Sequence, residues 1–303
     1  MSTFLYGANV QANGIRQHYL RYGGKGPALI LIPGITSPAI TWGFVAERLG
    51  AQFDTYVLDV RGRGLSSTGP ELDYSANTCA EDIGAFADAL NLQRYHLVGH
   101  SMGAALNLLS LQAGETRFAG ALLSSPMLRV KTGKHSMWSV KLAVRWNIRH
   151  GKAGDYVLDE PDDPFGHTFE KDALTSDEGR YELWRQQMYA CPHLAIGGTT
   201  WGWLAFALDA GERALKLKAL KSVRIPVTVV QAADDDRVWK QTSRWATKRL
   251  PHGRYVEIGG AQHEVLMERD DLRAEAFREF EALAERVAPA GAEQNRVELE
   301  AAG

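Results

Sequence analysis

The most constraining feature of this 303-residue sequence is the stretch RYHLVGHSMGAAL at residues 94–106. An apolar run ends at one serine between two glycines, and a second run with helical spacing follows directly. We interpret Ser101 as the tip of a sharp strand-to-helix turn that projects its hydroxyl above a sheet. Gly99 and Gly103 fit this turn, because a side chain at either position would collide with the neighbouring strand or helix.

Short β-rich runs alternate with helical patterns on both sides of this turn, which predicts βαβ crossovers and a parallel sheet. The alternation breaks over about 95 residues that look mostly helical and hold five of the eight tryptophans. We therefore predict an α/β fold, with a mostly parallel central sheet flanked by helices and a helical cap inserted between two strands. The predicted segments are a core at 1–126 and 221–288, a cap at 127–220 and a disordered tail at 289–303.

A serine hydroxyl needs a base near neutral pH, and the base needs an orienting carboxylate. His263 is the candidate base, because it lies in the loop GGAQHEVLMER after the last predicted strand. Asp236 is the candidate acid and Asp235 the second choice, both in the cluster DDDRV after the strand at 224–232. His100 adjoins the serine, but we expect it to face away and to be structural.

The transition state of such a reaction needs donors for a developing oxyanion. We expect the backbone N–H groups of Met102, directly after the serine, and of Ile35, in the loop after LILIPG. Gly34 would let that loop approach the serine closely. A separate turn, DVRGRGLS, predicts an ion-paired support for the scaffold that involves Asp59, Arg61 and Ser66.

Composition excludes several classes of protein. The net charge of -2 and the pI of about 6.5 give no sign of a nucleic-acid partner. The first residues, MSTFLYGANVQANGIRQ, show no signal-peptide pattern, and no run approaches the length that spans a bilayer. Cys79 and Cys191 match no metal or redox spacing, so we expect two unpaired buried thiols in a cytoplasmic protein.

With these motifs in place, the sequence resembles the α/β-hydrolase superfamily over residues 15–287, on GHSMG, DVRGRGLS, DDDRV and GAQHE. Residues 1–105 are similar to N-formylmaleamate deformylase, and residues 195–287 are similar to bacterial lysophospholipases and monoacylglycerol lipases. The deformylase resemblance implies an aspartate just after the strand that follows the nucleophile helix. This sequence has Ser124 and Ser125 there, so the acid must come from residues 234–236.

The resemblance implies a serine hydrolase that cleaves carboxylic esters through an acyl-enzyme, on a lysophospholipid or a monoacylglycerol. It requires no metal and no organic cofactor. One alternative is an amidohydrolase of the N-formylmaleamate deformylase type, and another is a non-catalytic receptor that closes a lid over a small ligand. A recombined origin of the chain would also explain the divided resemblance.

The cap leaves two interpretations open. The segment HSMWSVKLAVRWNIRHGK at 135–152 combines tryptophans with cations, which is typical of a lid helix that contacts lipid head groups. We favour the alternative, a helix that packs its tryptophans on the domain below. Trp201 and Trp203 are weaker candidates for an acyl pocket. The expected partner is a small-molecule or lipid substrate, with transient membrane-surface contact through the cap, and the oligomeric state stays open.

Overall fold

The computed structural model describes residues 2–157, 163–166, 168–169 and 174–288. Eight strands form one sheet in the order β1-β2-β4-β3-β5-β6-β7-β8. Pairings from β4 to β8 are parallel, whereas β1 pairs with β2, and β2 with β4, in the antiparallel sense. The strands are β1 Phe4–Ala12, β2 Ile15–Tyr22, β3 Ala28–Ile32, β4 Asp54–Leu58, β5 Tyr95–His100, β6 Phe118–Ser124, β7 Val227–Ala232 and β8 Gly253–Ile258.

The central strands are buried on both faces. Every residue of β5, β6 and β7 is buried, and so are the last four residues of β3. Such strands are continuous apolar runs, because helices cover both sides of a parallel sheet. This arrangement confirms the predicted α/β fold.

The described helices are α1 Gly43–Gly50, α2 Ala76–Ala89, α3 Met102–Gln112, α4 Met137–Arg149, α5 Glu178–Ala190, α6 Trp201–Ala214, α7 Leu217–Ser222, α8 Lys240–Thr247 and α9 Asp270–Arg286. Apolar residues of α2, α3 and α6 form one core cluster with Ile30 and Leu97 of the sheet. Residues of α1 and α9 form a second cluster with Leu29 and Val98, which point to the opposite face. The helices therefore sandwich the sheet between two layers. None of the described helices is both long and apolar enough to cross a bilayer.

The helices α4 to α7 lie between β6 and β7 in the chain. Helix α4 packs on α6, and α6 packs in turn on α3. The bounds of the cap at 127–220 remain a prediction, and the predicted disordered tail at 289–303 lies outside the described residues.

The structure corrects two predictions about the burial of side chains. Cys79 is a buried free thiol as predicted, but the free thiol of Cys191 is only partly buried. The favoured prediction that the α4 tryptophans pack on the domain below is wrong, because Trp138 is 74% exposed and Trp146 is 52% exposed.

Candidate active site

Ser101 occupies the turn between β5 and α3 with φ 50° and ψ -112°, a conformation that L-residues rarely adopt. Neighbouring backbone explains both flanking glycines. A Cβ on Gly99 would lie 2.7 Å from the backbone nitrogen of Ala104, and a Cβ on Gly103 would lie 2.1 Å from the carbonyl oxygen of Ile32. The predicted strand–turn–helix is therefore confirmed, together with the steric reason for its glycines.

The backbone hydrogen bonds that hold Ser101 in this turn do not involve its hydroxyl group. Its N–H donates to Ser124 O at 2.9 Å, and its carbonyl accepts from Met127 N at 3.0 Å. Its side chain does not cap α3. The end of β6 and the residues after it thus fix the backbone of the turn. The Oγ atom takes no part in these bonds.

His263 joins the serine to a carboxylate. Its Nε2 lies 2.9 Å from Ser101 Oγ, and its Nδ1 lies 2.9 Å from Asp235 Oδ2. All three residues are buried, and they come from the ends of β5, β7 and β8. The carboxyl ends of parallel strands lie at one edge of the sheet, which is how positions 162 residues apart in the chain meet.

The expectation that Asp236 contacts His263 is wrong. Its side chain is 69% exposed and lies 3.2 Å from Arg237 Nε. Asp235 faces inward instead, because its Oδ1 accepts the backbone N–H groups of Arg237 at 2.9 Å and Val238 at 3.0 Å. This is an Asx-type turn, in which an aspartate side chain bonds to backbone two or three residues ahead. The buried Val238 belongs to this turn, which therefore directs inward the aspartate one position before the expected one.

A buried glutamine completes the surroundings of Asp235, and sequence reasoning missed it. Gln231 Nε2 donates to Asp235 Oδ2 at 2.9 Å, the same oxygen that lies near His263. Burial by itself raises the pKa of Asp235, but the hydrogen bond and charge of His263 and the N–H groups of Val238 and Arg237 outweigh it and lower the pKa. The available signal was the single amide side chain in the β7 sequence VTVVQA.

The two expected oxyanion donors lie on the segments that meet at the serine. Met102 begins α3, and the first N–H groups of a helix have no acceptor within the helix. A Cβ on Gly34 would lie 3.6 Å from Ser101 Cβ, so the loop that carries Ile35 passes close to the serine. These contacts are compatible with the expectation, and the oxyanion roles of Ile35 and Met102 remain a prediction.

The expectation that His100 faces away from the site is wrong, because its ring packs edge-on against the ring of His263. Its ring centroid is 4.8 Å from that of His263, and its Nε2 lies 3.3 Å from Glu264 Oε1. Burial raises the pKa of Glu264, but the charges of His100 and His263 outweigh it and lower the pKa. His100 and Glu264 therefore form a buried polar pair next to His263.

The DVRGRGLS turn supports the loop beside the site. Asp59 Oδ2 lies 2.6 Å from His18 Nδ1, and its Oδ1 accepts from Ala39 N at 2.7 Å. Ser66 Oγ donates to the Asp59 carbonyl at 2.8 Å, and Arg61 pairs with Asp82 at 2.7 Å. The predicted ion-paired support is confirmed. Ala39 follows the loop of Ile35, so this turn fixes the position of that loop.

The cap tryptophans have different surroundings. Trp201 is buried, and its backbone N–H donates to Asp155 O at 3.0 Å. Trp203 packs against the core cluster of α2, α3 and α6, and its indole N–H has no acceptor among the described residues. Among the described residues, neither tryptophan hydrogen-bonds to Ser101 or His263. Their role in substrate binding stays a prediction. The described residues contain no cluster of metal-ligating side chains.

The comparisons with known proteins agree with this geometry. A family model described as serine aminopeptidase, S33, matches residues 26–270. The chain belongs to this family of hydrolases. Its structural neighbours are α/β-hydrolases, which include a monoglyceride lipase of Saccharomyces cerevisiae at 15% identity and a TM-score of 0.68, covering 95% of this chain and 97% of that one.

Two relatives match different shares of the chain. N-formylmaleamate deformylase of Pseudomonas putida is 68% identical over 126 residues, which cover 42% of this chain and 47% of that protein. The chain thus matches about half the length of that relative. Lysophospholipase L2 of Escherichia coli is 26% identical over 268 residues, which cover 82% of this chain and 77% of that protein. A crystal structure of N-formylmaleamic acid deformylase from Pseudomonas putida is 25% identical with a TM-score of 0.62, covering 90% of this chain and 100% of that one.

Proposed function

We propose that the protein is a serine hydrolase that cleaves carboxylic esters of lipid type, such as lysophospholipids or monoacylglycerols, through an acyl-enzyme. The observation that carries this proposal is the chain of two 2.9 Å contacts that joins Ser101, His263 and Asp235. Support for a lipid-like ester comes from the lysophospholipase relative, whose similarity extends over 82% of the chain. The deformylase similarity by sequence extends over 42% of it.

In the proposed mechanism, Ser101 Oγ attacks the ester carbonyl while His263 Nε2 takes its proton. Asp235 accepts Nδ1–H, which holds the imidazole in the tautomer that has a free Nε2 lone pair. The N–H groups of Met102 and Ile35 stabilise the oxyanion of the tetrahedral intermediate. His263 then protonates the leaving alcohol, and a water molecule, activated in the same way, releases the carboxylic acid and restores the serine.

An amidase activity on a small formyl amide is the second candidate. It is favoured by the 68% identity over 126 residues with N-formylmaleamate deformylase. The same nucleophile and base would serve it, because both reactions proceed through a tetrahedral oxyanion. The difference lies in the leaving group, an amine rather than an alcohol, and in a pocket that must accept a small dianion.

A substrate panel separates these candidates. We expect turnover of p-nitrophenyl esters of graded chain length, lysophosphatidylcholine or monoacylglycerol, and little formate release from N-formylmaleamate. The Ser101→Ala variant should lose about 10⁴-fold or more of this turnover. Formate release with little esterase activity would instead establish the amidase.

Fluorophosphonate labelling tests the receptor alternative on the same protein. We expect covalent labelling of Ser101 that is absent from Ser101→Ala. A protein that takes the label but turns over no ester and no amide in the panel would contradict the proposed function and favour a ligand receptor.

A further inference from the structure

We propose that one face of α4 is a docking surface for anionic phospholipid bilayers. This docking face consists of Trp138, Leu142, Arg145, Trp146 and Arg149, all of which are exposed. Trp138, Leu142, Arg145 and Arg149 are spaced at i, i+4, i+7 and i+11, so they form one stripe along the helix. Leu142 is 54% exposed, beside tryptophans that are more than half exposed. Trp138, Leu142 and Trp146, spaced at i, i+4 and i+8, are three large apolar side chains that face water together, which is unusual unless something covers them.

The charge around this face favours an anionic partner. From Arg129 to Gly154 the sequence has seven lysines and arginines and no aspartate or glutamate. Lys141 pairs with Glu212, but Arg145 and Arg149 have no carboxylate partner among the described residues. Each such cation near an anionic leaflet strengthens binding, and the effect falls off within a Debye length.

The helix is already formed and anchored on its opposite side. Val144 and Asn147 are its buried residues, and they lie on the side away from the docking face. Ser136 caps the first turn by accepting the N–H of Ser139 at 3.2 Å. The docking face is therefore displayed by a rigid element, and little ordering entropy opposes its binding.

The mixture of side chains favours a lipid surface over other polyanions. Tryptophan and leucine beside arginine are typical of helices that lie in the membrane interface, with the apolar side chains below the head groups. The Trp146 ring stacks on His150 at 4.2 Å, and Lys152 Nζ lies 5.4 Å from its centroid, so aromatic and cationic groups share one surface. A nucleic acid or an acidic peptide would engage the arginines but would gain little from Leu142.

The segment that precedes α4 in the chain is linked by hydrogen bonds to the candidate active site. Residues 127–131 lead from β6 towards α4. Met127 N donates to Ser101 O at 3.0 Å, Lys131 N donates to Arg237 O at 2.8 Å, and Lys131 Nζ donates to Asp235 O at 2.6 Å. A bilayer bound at α4 would thus contact the helix that follows this hydrogen-bonded segment in the chain.

Vesicle co-sedimentation of the full chain tests the proposal without any use of catalysis. We expect binding to phosphatidylcholine vesicles that contain phosphatidylglycerol, weaker binding to pure phosphatidylcholine and loss of binding at high salt. Arg145→Gln and Arg149→Gln should each weaken binding about fivefold. The pair Trp138→Ser and Leu142→Ser should weaken it at least about tenfold. Because all four side chains are exposed, the thermal midpoint should stay unchanged.

Two controls keep the result specific. Trp245→Ser alters another exposed tryptophan, on α8 beside Arg249 and Lys248, and should leave vesicle binding unchanged. Ser101→Ala should also bind like the unmodified protein, so failure of the proposed function would not affect this test. Equal binding to both vesicle types would overturn the proposal. Binding that needs the arginines, ignores Trp138 and Leu142 and is matched by heparin would overturn it in favour of a general polyanion site.

Discussion

At the scale of single residues, the site depends on which aspartate of three in a row faces inward. Asp234, Asp235 and Asp236 are chemically identical, and each follows the same strand. The two N–H groups that bond to Asp235 Oδ1 decide between them, because they close a turn that turns this carboxylate towards His263. A shift of one residue along the loop leads from a buried carboxylate to an exposed one.

We expect Asp235→Asn to lower the turnover number about 10⁴-fold, because the amide would favour the wrong imidazole tautomer. Asp236→Asn should change it less than about twofold, since that side chain faces solvent. Steady-state kinetics on one p-nitrophenyl ester would measure both. If Asp236→Asn were the damaging change, the assignment of the acid from the structure would be wrong.

Gln231 should act as a positioning residue for Asp235. Replacement by leucine removes a hydrogen bond to a charged group, which corresponds to a fall in kcat of about tenfold to a hundredfold. KM should stay unchanged, because Gln231 is fully buried and has no access to substrate. Thr228→Val is the matched control, since Thr228 is also fully buried in β7 and its hydroxyl has no partner among the described residues. A rise in KM with constant kcat would contradict this role.

At the scale of elements, the β5–turn–α3 unit needs close approach between backbones. Gly103 lies against the carbonyls of Ile32 and Pro33, neither of which can move without displacing β3. The element is therefore specified by steric exclusion as much as by apolar burial.

We expect Gly103→Ala to lower the free energy of unfolding by about 3 kcal/mol, at the upper end of overpacking costs. Gly259→Ala is the control, because a Cβ there would meet nothing within 4 Å. Urea denaturation followed by circular dichroism would measure both changes. Equal effects of the two substitutions would show that the close approach seen at β3 is not rigid.

At the scale of the whole molecule, stability should fall on acidification before the carboxylates titrate. Burial, with a smaller contribution from the charge of Arg94, lowers the pKa of His96 to about 4. The ring lies edge-on to Phe53 at 5.7 Å and to Phe280 at 6.0 Å, so it is held in an apolar part of the core.

The direction of this pH effect follows from the difference between the pKa of His96 in the folded protein and its pKa in the unfolded chain. An unfolded histidine binds its proton near pH 6.5, whereas folded His96 stays neutral down to about pH 4. The stabilisation is therefore complete above the unfolded pKa and is lost as the pH falls towards the folded pKa, by up to about 3 kcal/mol. Urea unfolding at several pH values should show this loss, and His96→Phe should reduce it. His252→Gln, an exposed histidine, should leave the loss unchanged. An identical pH dependence in His96→Phe would contradict the role of His96.

Much of the molecule could be predicted from sequence because it is encoded locally. Runs that are apolar throughout identify strands covered on both faces, and Gly-x-Ser-x-Gly between a strand and a helix identifies the turn of Ser101. Strand β1 was not predicted, because most of its residues are exposed and it has no regular alternation of apolar residues. His263 could be found from the loop after the last strand.

What the tertiary structure decided depends on distances between segments far apart in the chain. The choice of Asp235 over Asp236, the contact of Gln231 with Asp235 and the exposed face of α4 all follow from how β7, β8 and the cap helices are placed. For α4, spacing alone was compatible with a packed helix and with a lipid-facing helix, because both require one apolar stripe, and the exposure of Trp138 shows that the favoured packed helix is wrong. The sequence by itself determined the fold class, the nucleophile turn and the base, since these follow from local sterics and burial. Only the three-dimensional arrangement determined which neighbouring side chains point towards them.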